Sequence, residues 1–188
     1  MTHKNLELST LFSDTQIIPV MVVKDLESAV PIAEKLVAAG YKALEITLRT
    51  DCALEAVRAI RREVPTACVG VGTITNPAQF VKSYEAGAAF AVSPGATKDL
   101  YEISKKVPLP LLPGVATASE AMVAQARGYR YLKLFPAEAV GGIGLLKSLG
   151  GPLPDLRFCP TGGITAETAP DYLALKNVIC VGGSWMVK

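Results

Sequence analysis

The sequence predicts an α/β protein that forms a single (β/α)8 barrel (TIM barrel) over residues 1–188. Eight short apolar segments recur about every 20 to 25 residues, the length of one strand–helix unit, and amphipathic segments separate them. Such apolar runs are typical of parallel strands that are covered on both faces. An open doubly wound sheet would place a glycine-rich loop after its first strand, but Val23-Lys24-Asp25 stands there. Gly-Gly pairs follow the seventh and eighth strands instead, where barrels bind phosphate.

Short apolar runs define the strands, and spacing and capping residues define the helices. The eight predicted strands are Ile17–Val23, Ala43–Leu48, Cys68–Gly72, Phe90–Val92, Leu109–Leu112, Tyr131–Phe135, Arg157–Pro160 and Val178–Val181. Leu26–Ala39 and Ala53–Val64 carry apolar residues at helical spacing. Asn76-Pro77 predicts a helix start, and Thr117–Glu120 has the capping-box pattern. Residues 4–14 are expected to form an extra helix that closes the bottom of the barrel.

The last predicted strand lies close to the end of the sequence. Val178–Val181 is apolar on both faces and therefore needs a helix on its outer side, but Lys188 follows too soon for one. We expect that the eighth helix is absent from this chain, that the natural protein is longer by that helix, and that strand eight exposes an apolar stripe.

Composition and charge exclude several classes of protein. The residues are 50% hydrophobic, which excludes a disordered chain, and the longest apolar run, Ile17–Val23, is far shorter than a membrane span. The 19 basic and 17 acidic residues are scattered, so we expect neither nucleic acid nor a membrane as a partner. The four cysteines form no C-x-x-C pair and are expected to be buried, reduced thiols of a cytoplasmic protein. Because His3 is the single histidine, Ser-His-Asp and Cys-His catalysis are excluded, and we expect no metal or other cofactor.

The sixth predicted strand places a lysine inside the barrel. Strand periodicity puts Lys133 opposite Leu132 and Leu134, so the leucines face the helices and the lysine faces the interior. One interpretation is a structural lysine that extends to the end of the strand or pairs with a carboxylate. The other is a nucleophile, because burial disfavours the ammonium form and the neutral amine attacks a carbonyl carbon to form a Schiff base.

Polar side chains also alternate along the second predicted strand. Glu45 would either form a structural ion pair with Lys133 or shuttle protons beside it. Arg49, just past the end of the strand, would hold a substrate carboxylate through two hydrogen bonds. Thr73, after the third strand, is a candidate donor to the same carboxylate, although Gly-Thr is also common in turns.

The two glycine pairs are candidates for a phosphate site. Thr161-Gly162-Gly163 follows the seventh strand and Gly182-Gly183-Ser184 follows the eighth. Glycines let backbone amides approach a phosphate closely, and two such pairs on consecutive strands favour that interpretation over ordinary turns. Ser93-Pro94-Gly95 and Leu112-Pro113-Gly114 end the fourth and fifth strands, where they either form turns or shape the rim of the pocket.

Together these residues resemble the motifs of one enzyme family, over about residues 15 to 187. The matching stretches are LEITLRT (Leu44–Thr50), GVGTITNP (Gly70–Pro77), AVSPG (Ala91–Gly95), LLPGVAT (Leu111–Thr117), KLFPAE (Lys133–Glu138), RFCPTGGI (Arg157–Ile164) and GGSW (Gly182–Trp185). The combination resembles the 2-keto-3-deoxy-6-phosphogluconate aldolase and 4-hydroxy-2-oxoglutarate aldolase family. Each stretch by itself is much less specific than the set.

The resemblance implies a role for each site residue. Lys133 forms the Schiff base, Glu45 is the acid/base that acts through a bound water, and Arg49 and Thr73 hold the pyruvate carboxylate. The residues implied in lining the pocket are Pro94, Phe135 and Thr161, and those implied in holding the phosphate are Gly162, Gly163, Gly182, Gly183 and Ser184.

The resemblance also implies the reaction and its setting. A metal-free class I aldolase cleaves 2-keto-3-deoxy-6-phosphogluconate to pyruvate and glyceraldehyde 3-phosphate, and 4-hydroxy-2-oxoglutarate to pyruvate and glyoxylate. The family implies a cytoplasmic homotrimer of the Entner–Doudoroff pathway. Two alternatives remain at this stage: a phosphate-binding barrel isomerase or synthase, and a barrel that binds a metabolite without catalysis.

Overall fold

The computed structural model describes residues 3–187, which form an α/β fold of parallel strands surrounded by helices. The strands in the described residues are β1 Ile17–Met21, β2 Ala43–Thr47, β3 Cys68–Gly72, β4 Phe90–Val92, β5 Leu111–Leu112, β6 Gly114–Val115, β7 Tyr131–Leu134, β8 Arg157–Pro160 and β9 Val181–Gly183. The α-helices are α1 His3–Ser13, α2 Leu26–Ala38, α3 Ala53–Glu63, α4 Pro77–Glu85, α5 Lys98–Lys106, α6 Ala118–Ala126, α7 Gly142–Gly150 and α8 Ala169–Leu173. Short 3₁₀ turns occupy Glu138–Val140 and Trp185–Val187.

The strands form two parallel sheets that curl around a common interior. One sheet has the order β5-β4-β3-β2-β1-β9, and the other has the order β6-β7-β8. Isolated parallel bridges, Phe158 with Val178 and Thr161 with Gly182, place β8 beside the segment that leads into β9. The strands therefore follow one another around the interior in chain order, and their carboxyl ends point the same way.

The fifth predicted strand, Leu109–Leu112, is shorter in the structure, where it forms β5 at Leu111–Leu112, and a second short strand, β6, follows after one proline. Pro113 has no N–H to donate, so it interrupts the ladder between β5 and β6. Its carbonyl still accepts a hydrogen bond of 2.9 Å from the Lys133 N–H. β5 pairs with β4, whereas β6, after the proline, pairs with β7, where Gly114 lies opposite Lys133.

The last predicted strand was placed three residues too early. Val178 faces β8 through a single bridge, whereas regular pairing with β1 begins only where Val181 lies opposite Ile17. The segment thus changes partners partway, which a continuous apolar run does not reveal. After β9 the side chains of Trp185, Met186 and Val187 are partly buried against the helix-side core. The prediction that this strand exposes an apolar stripe is wrong, since Val178, Cys180 and Val181 are buried. The predicted absence of a helix after the strand stays a prediction.

The helix boundaries follow local signals in the sequence. Asn76 caps α4 by accepting a hydrogen bond of 3.0 Å from the Gln79 N–H. Thr117 and Glu120 form a reciprocal capping box at the start of α6, as the sequence predicts. None of the helices within residues 3–187 is long and apolar enough to cross a membrane.

Apolar side chains form two cores, one on each side of the strands. Alternate strand residues, such as Leu44 and Leu132, pack with the helices in the larger core. The smaller core fills the amino-terminal half of the interior, and α1 closes it from below with Leu8 and Phe12. The Phe12 ring meets the Tyr131 ring edge-on, with 6.1 Å between ring centroids. The interior is therefore packed at its amino end, and its polar residues lie nearer the carboxyl ends of the strands.

Candidate functional site

A lysine and a glutamate 88 residues apart in the sequence meet in the interior around which the two sheets curl. Lys133 Nζ on β7 donates to Glu45 Oε1 on β2 at 3.0 Å, and its distance to Glu45 Oε2 is 3.4 Å. The side chains are only 6% and 4% exposed. Loss of either partner would leave the other charge buried alone, which costs about 3–5 kcal/mol in proteins. Because the two groups share a hydrogen bond, a proton can pass directly between the amine and the carboxylate.

Strand geometry and a glycine on the neighbouring strand determine where this pair lies. Strand alternation turns both side chains inward, two residues beyond Ala43 and Tyr131, which belong to the smaller, interior core. Gly72 on β3 leaves the space that the carboxylate occupies, because a Cβ at this position would lie 2.0 Å from Glu45 Oε1. Sequence reasoning assigned Gly72 no role, and only the neighbouring strand explains it.

Two further predicted residues, Arg49 and Thr73, meet above the pair. Arg49 Nε donates to Thr73 Oγ1 at 3.2 Å, just past the ends of β2 and β3. Arg49 is exposed and Thr73 is half-buried, so both can reach a bound molecule. Thr47, the intervening polar residue on β2, instead donates to the Met21 carbonyl at 3.0 Å and is fully buried, which is a structural role.

Thr73 has a strained backbone. Its φ of 62° lies in the left-handed region, and it is a β-branched residue, for which that conformation is a true outlier. Such strain costs of order 1–3 kcal/mol and persists where the surrounding structure enforces it. In this conformation the Thr73 hydroxyl accepts the hydrogen bond from Arg49 Nε.

The strain gives a stability prediction for two variants that both lack the hydroxyl. We expect Thr73→Gly to be more stable than Thr73→Val by about 1 kcal/mol, because glycine relieves the strain but loses some of that gain to its flexible unfolded state. Urea unfolding of both variants measures the difference. Equal stabilities, or a more stable Thr73→Val, would mean that the backbone at this position is not strained.

The glycine loop after β8 and the glycine segment Gly182-Gly183-Ser184 at the end of β9 line a cavity of about 170 Å³ beside the lysine–glutamate pair. Its lining includes Arg49, Phe135, Thr161, Gly162, Gly163, Gly182, Gly183 and Ser184, together with Val20, Val22 and Ile164. Gly162 and Gly163 have φ of 103° and 83°, which few other residues adopt. A Cβ at Gly182 would lie 2.3 Å from Thr161 Oγ1, so the two loops approach each other closely because this position has no side chain.

The remaining predicted residues do not line this cavity. Lys133 Nζ lies 5.4 Å from the centre of the Phe135 ring, so the pair and the cavity share one wall. Pro94 packs on β6, since a Cβ at Gly114 would lie 2.3 Å from the Pro94 carbonyl carbon. Ser93 is fully buried and its hydroxyl accepts from the Gly114 N–H at 3.3 Å, so this loop is held against the strand that pairs with Lys133.

Other groups in the interior are poor candidates for chemistry. Cys159 and Cys180 are buried free thiols, whereas Cys52 and Cys68 are only half-buried, in contrast to the expectation that all four are buried. Burial, a hydrogen bond with Cys159 and the charge of Glu45 raise the pKa of the Cys180 thiol, so it stays protonated and packs as an apolar group. Within the described residues no cluster of His, Cys, Asp or Glu could hold a metal ion.

A larger hollow lies at the opposite end of the strands. It has a volume of about 400 Å³ and is lined by residues around the end of α1 and the start of β2. Its Asp14 and Lys42 approach to 3.7 Å, but both side chains are exposed, so the pair contributes little. Sites on parallel α/β barrels lie at the carboxyl ends of the strands, and the smaller cavity is the one at that end.

Sequence reasoning missed a second pair beside the glycine loops. Tyr172 on α8 is fully buried, and its hydroxyl donates to Glu138 Oε1. Glu138 ends the KLFPAE motif, but its position in a motif gave no sign of this partner 34 residues away. Tyr172 stands in an unremarkable helical segment, and no sequence signal identified it.

Comparisons with known proteins agree on one family. Residues 8–188 match the family model described as KDPG and KHG aldolase. The KHG/KDPG aldolase of Escherichia coli (strain K12) is 53% identical over 171 residues, which cover 91% of this chain and 80% of the relative.

Solved structures give the same result. The KDPG aldolase of Legionella pneumophila, crystallised with pyruvate captured as a covalent carbinolamine intermediate, has a TM-score of 0.92 at 46% identity and is matched over 94% of this chain and 86% of its own. The 2-keto-3-deoxy-6-phosphogluconate aldolase of Zymomonas mobilis ZM4 with 3-phosphoglycerate has a TM-score of 0.93 at 46% identity, over 96% of this chain and 86% of its own. With the buried lysine–glutamate pair beside a glycine-lined cavity, these similarities show that the chain belongs to the KDPG and KHG aldolase family.

Proposed function

We propose that the protein is a Schiff-base aldolase that cleaves 2-keto-3-deoxy-6-phosphogluconate to pyruvate and glyceraldehyde 3-phosphate. The observation that carries the proposal is the buried contact of 3.0 Å between Lys133 Nζ and Glu45 Oε1, at the open end of the barrel. An amine beside a proton acceptor can be delivered in its neutral, nucleophilic form. The covalent pyruvate adduct of the Legionella pneumophila relative supports this chemistry.

The reaction follows from the arrangement of the pair. Lys133 passes a proton to Glu45 and attacks the C2 ketone. Glu45 returns that proton to the hydroxyl of the carbinolamine, so that water leaves and a protonated imine remains beside the Glu45 carboxylate. Glu45 then takes the proton of the C4 hydroxyl, and the electrons of the C3–C4 bond move to the imine to form an enamine. Glyceraldehyde 3-phosphate leaves with its new carbonyl group. A proton returns to C3, and water hydrolyses the imine to free pyruvate and the Lys133 amine.

The surrounding residues orient the substrate. Arg49 and Thr73 hold the carboxylate of the pyruvyl part, since the guanidinium and the hydroxyl already contact each other at 3.2 Å above the pair. Phe135, Pro94 and Thr161 shape the walls around the reacting bond. Holding the carboxylate fixes the C2 carbon over Lys133, which converts the attack into a step between positioned groups.

The glycine loops hold the phosphate. The amides of Gly162, Gly163, Gly182 and Gly183 and the hydroxyl of Ser184 surround the cavity that Arg49 borders on its other side. Backbone N–H groups in such a concave loop bind an anion without a charged side chain. The relative from Zymomonas mobilis crystallised with 3-phosphoglycerate supports a phosphorylated ligand.

This assignment predicts a preference for phosphorylated substrate. We expect 2-keto-3-deoxygluconate to have a kcat/KM at least about tenfold below that of its 6-phosphate, because a hydrogen bond to a charged group contributes about 1.5–3 kcal/mol. Steady-state kinetics with both substrates tests it. Equal kcat/KM values would mean that the two glycine loops do not form a phosphate site.

A second substrate, 4-hydroxy-2-oxoglutarate, would be cleaved to pyruvate and glyoxylate by the same steps. The name of the Escherichia coli relative, KHG/KDPG aldolase, supports both activities. This substrate has a carboxylate bonded directly to C4, closer to the reacting bond than the 6-phosphate of the other substrate, and it uses the same Lys133 and Glu45.

Trapping with borohydride tests the proposed function directly. Incubation of the protein with labelled pyruvate and borohydride should fix the label as a secondary amine, because the hydride reduces the imine. A barrel isomerase or synthase would form no such adduct, and a non-catalytic metabolite-binding barrel would cleave neither substrate. Absence of the label together with absence of cleavage would overturn the proposal.

We further propose a closed eight-stranded barrel, a homotrimer and a cytoplasmic location in the Entner–Doudoroff pathway. The bridges between β8 and the segment before β9 support closure, with β5 and β6 counted as one interrupted strand. Exposed apolar side chains on α4 and α6, Tyr84, Met122 and Val123, support burial against further copies. The four free thiols support a reducing compartment.

A further inference from the structure

Glu138 and Tyr172 form a hydrogen-bonded pair behind the Thr161–Gly163 loop. Glu138 begins the 3₁₀ turn that follows β7, and Tyr172 lies on α8, which follows the loop in the chain. Burial raises the pKa of Tyr172, and the hydrogen bond to Glu138 raises it further. The Tyr172 hydroxyl therefore keeps its proton and remains the donor to the carboxylate.

The stem of Glu138 lies directly against the glycine loop. Its N–H donates to the Gly162 carbonyl at 3.1 Å, and the preceding residue, Ala137, donates to the Thr161 carbonyl at 2.8 Å. A Cβ at Gly163 would lie 2.6 Å from Glu138 Cγ. Glu138 Cγ thus lies against the loop assigned to the phosphate, and the carboxylate is bonded directly to this atom.

A carboxylate in this position opposes the binding of a phosphate. Like charges repel at this range, and the repulsion is stronger where water is partly excluded. Neither Glu138 nor Tyr172 belongs to the lining of the cavity of about 170 Å³, so the carboxylate lies outside the cavity while Tyr172 holds it. The space for the hydroxyl depends on Gly142, where a Cβ would lie 2.6 Å from the Tyr172 oxygen.

We propose that Tyr172 is a positioning residue that holds the Glu138 carboxylate away from the phosphate of the bound substrate. The hydrogen bond fixes the carboxylate on the α8 side of the loop, so that the loop amides present an anion site without a competing negative charge. Tyr172 thereby sets the affinity for phosphorylated substrates and has no part in the chemistry at Lys133. The inference rests on the phosphate site in the proposed function.

Tyr172→Phe keeps the buried ring and removes only the hydroxyl. We expect the KM for 2-keto-3-deoxy-6-phosphogluconate and the inhibition constant of inorganic phosphate to rise about three- to tenfold, the usual effect of one lost hydrogen bond. The kcat, and the KM for 2-keto-3-deoxygluconate, should stay unchanged. Inhibition by inorganic phosphate reports binding without catalysis, so it separates affinity from turnover.

Glu138→Gln distinguishes this role from a merely structural one. The amide keeps the shape and an oxygen acceptor but has no charge, so the double variant Tyr172→Phe with Glu138→Gln should regain the wild-type KM and phosphate inhibition. If Tyr172 only supported the loop, the double variant would be as impaired as Tyr172→Phe alone. Tyr129→Phe is the matched control, because Tyr129 is also buried and its hydroxyl contacts Ser104 at 2.5 Å, away from the loop.

Three results would overturn the inference: an unchanged KM in Tyr172→Phe, an equal rise for both substrates, or no recovery in the double variant. The wild-type protein separates this failure from that of the proposed function. If the wild type itself shows no preference for the phosphorylated substrate, the phosphate site is wrong and the inference fails with it. If the preference is present, only the role of Tyr172 is at stake.

Discussion

We expect Lys133→Met to abolish both substrate cleavage and the labelling of the protein by pyruvate and borohydride. Methionine fills the same space with an unbranched side chain but has no amine, so no imine can form. The loss should reach the detection limit, because the electron sink for cleavage of the C3–C4 bond is the imine itself. Mass spectrometry of the reduced adduct and an assay of pyruvate release measure the two effects independently.

Removal of Lys133 also leaves Glu45 buried without its partner, and this could cost about 3–5 kcal/mol of stability. The double variant Lys133→Met with Glu45→Gln removes both charges and should fold while remaining inactive and unlabelled. Lys24→Met is the matched control, since Lys24 is an exposed lysine just past the end of β1. Labelling that survives Lys133→Met, for example at Lys24, would show that another lysine forms the adduct.

Strand periodicity predicted which side chains face the interior, and this accounts for most of what the sequence revealed about the site. Side chains alternate between the two faces of any strand, and this depends only on local geometry. The inward orientation of Glu45 and of Lys133 could therefore each be predicted from its own strand. Their contact at 3.0 Å then follows from the fold, since parallel strands that curl around a common interior bring equivalent positions to one level. The same local signals predicted the caps of α4 and α6.

Features that depend on distant partners could not be predicted in this way. The break at Pro113 and the late start of β9 depend on which neighbouring strand each segment pairs with. The apolar runs in the sequence do not identify that neighbour. Gly72 is needed because Glu45 occupies the space beside it, and neither residue indicates the other in sequence. Tyr172 meets Glu138 only through the packing of α8, so a residue with no motif contributes to the surroundings of the glycine loop.

We expect Glu45→Gln to retain imine formation but to slow turnover by about 100-fold or more, the lower end of what a positioned acid/base contributes. Glutamine keeps the shape of the side chain, and its carbonyl oxygen can still accept a hydrogen bond from Lys133. It cannot take the proton of the C4 hydroxyl, so the step that breaks the C3–C4 bond loses its base. Borohydride labelling by pyruvate should therefore persist while kcat falls.

Glu102→Gln provides the matched control for this comparison. Glu102 also contacts a lysine, Lys105, at 3.0 Å. This pair lies on α5 and both of its side chains are about half exposed, whereas Lys133 and Glu45 are buried. Its loss should leave kcat unchanged, because an exposed pair of this kind contributes at most about 1 kcal/mol to stability and nothing to the reaction. Near-normal turnover in Glu45→Gln would reduce Glu45 to a structural partner of Lys133. Loss of labelling as well as turnover would instead place its action before the imine, in the delivery of the neutral amine.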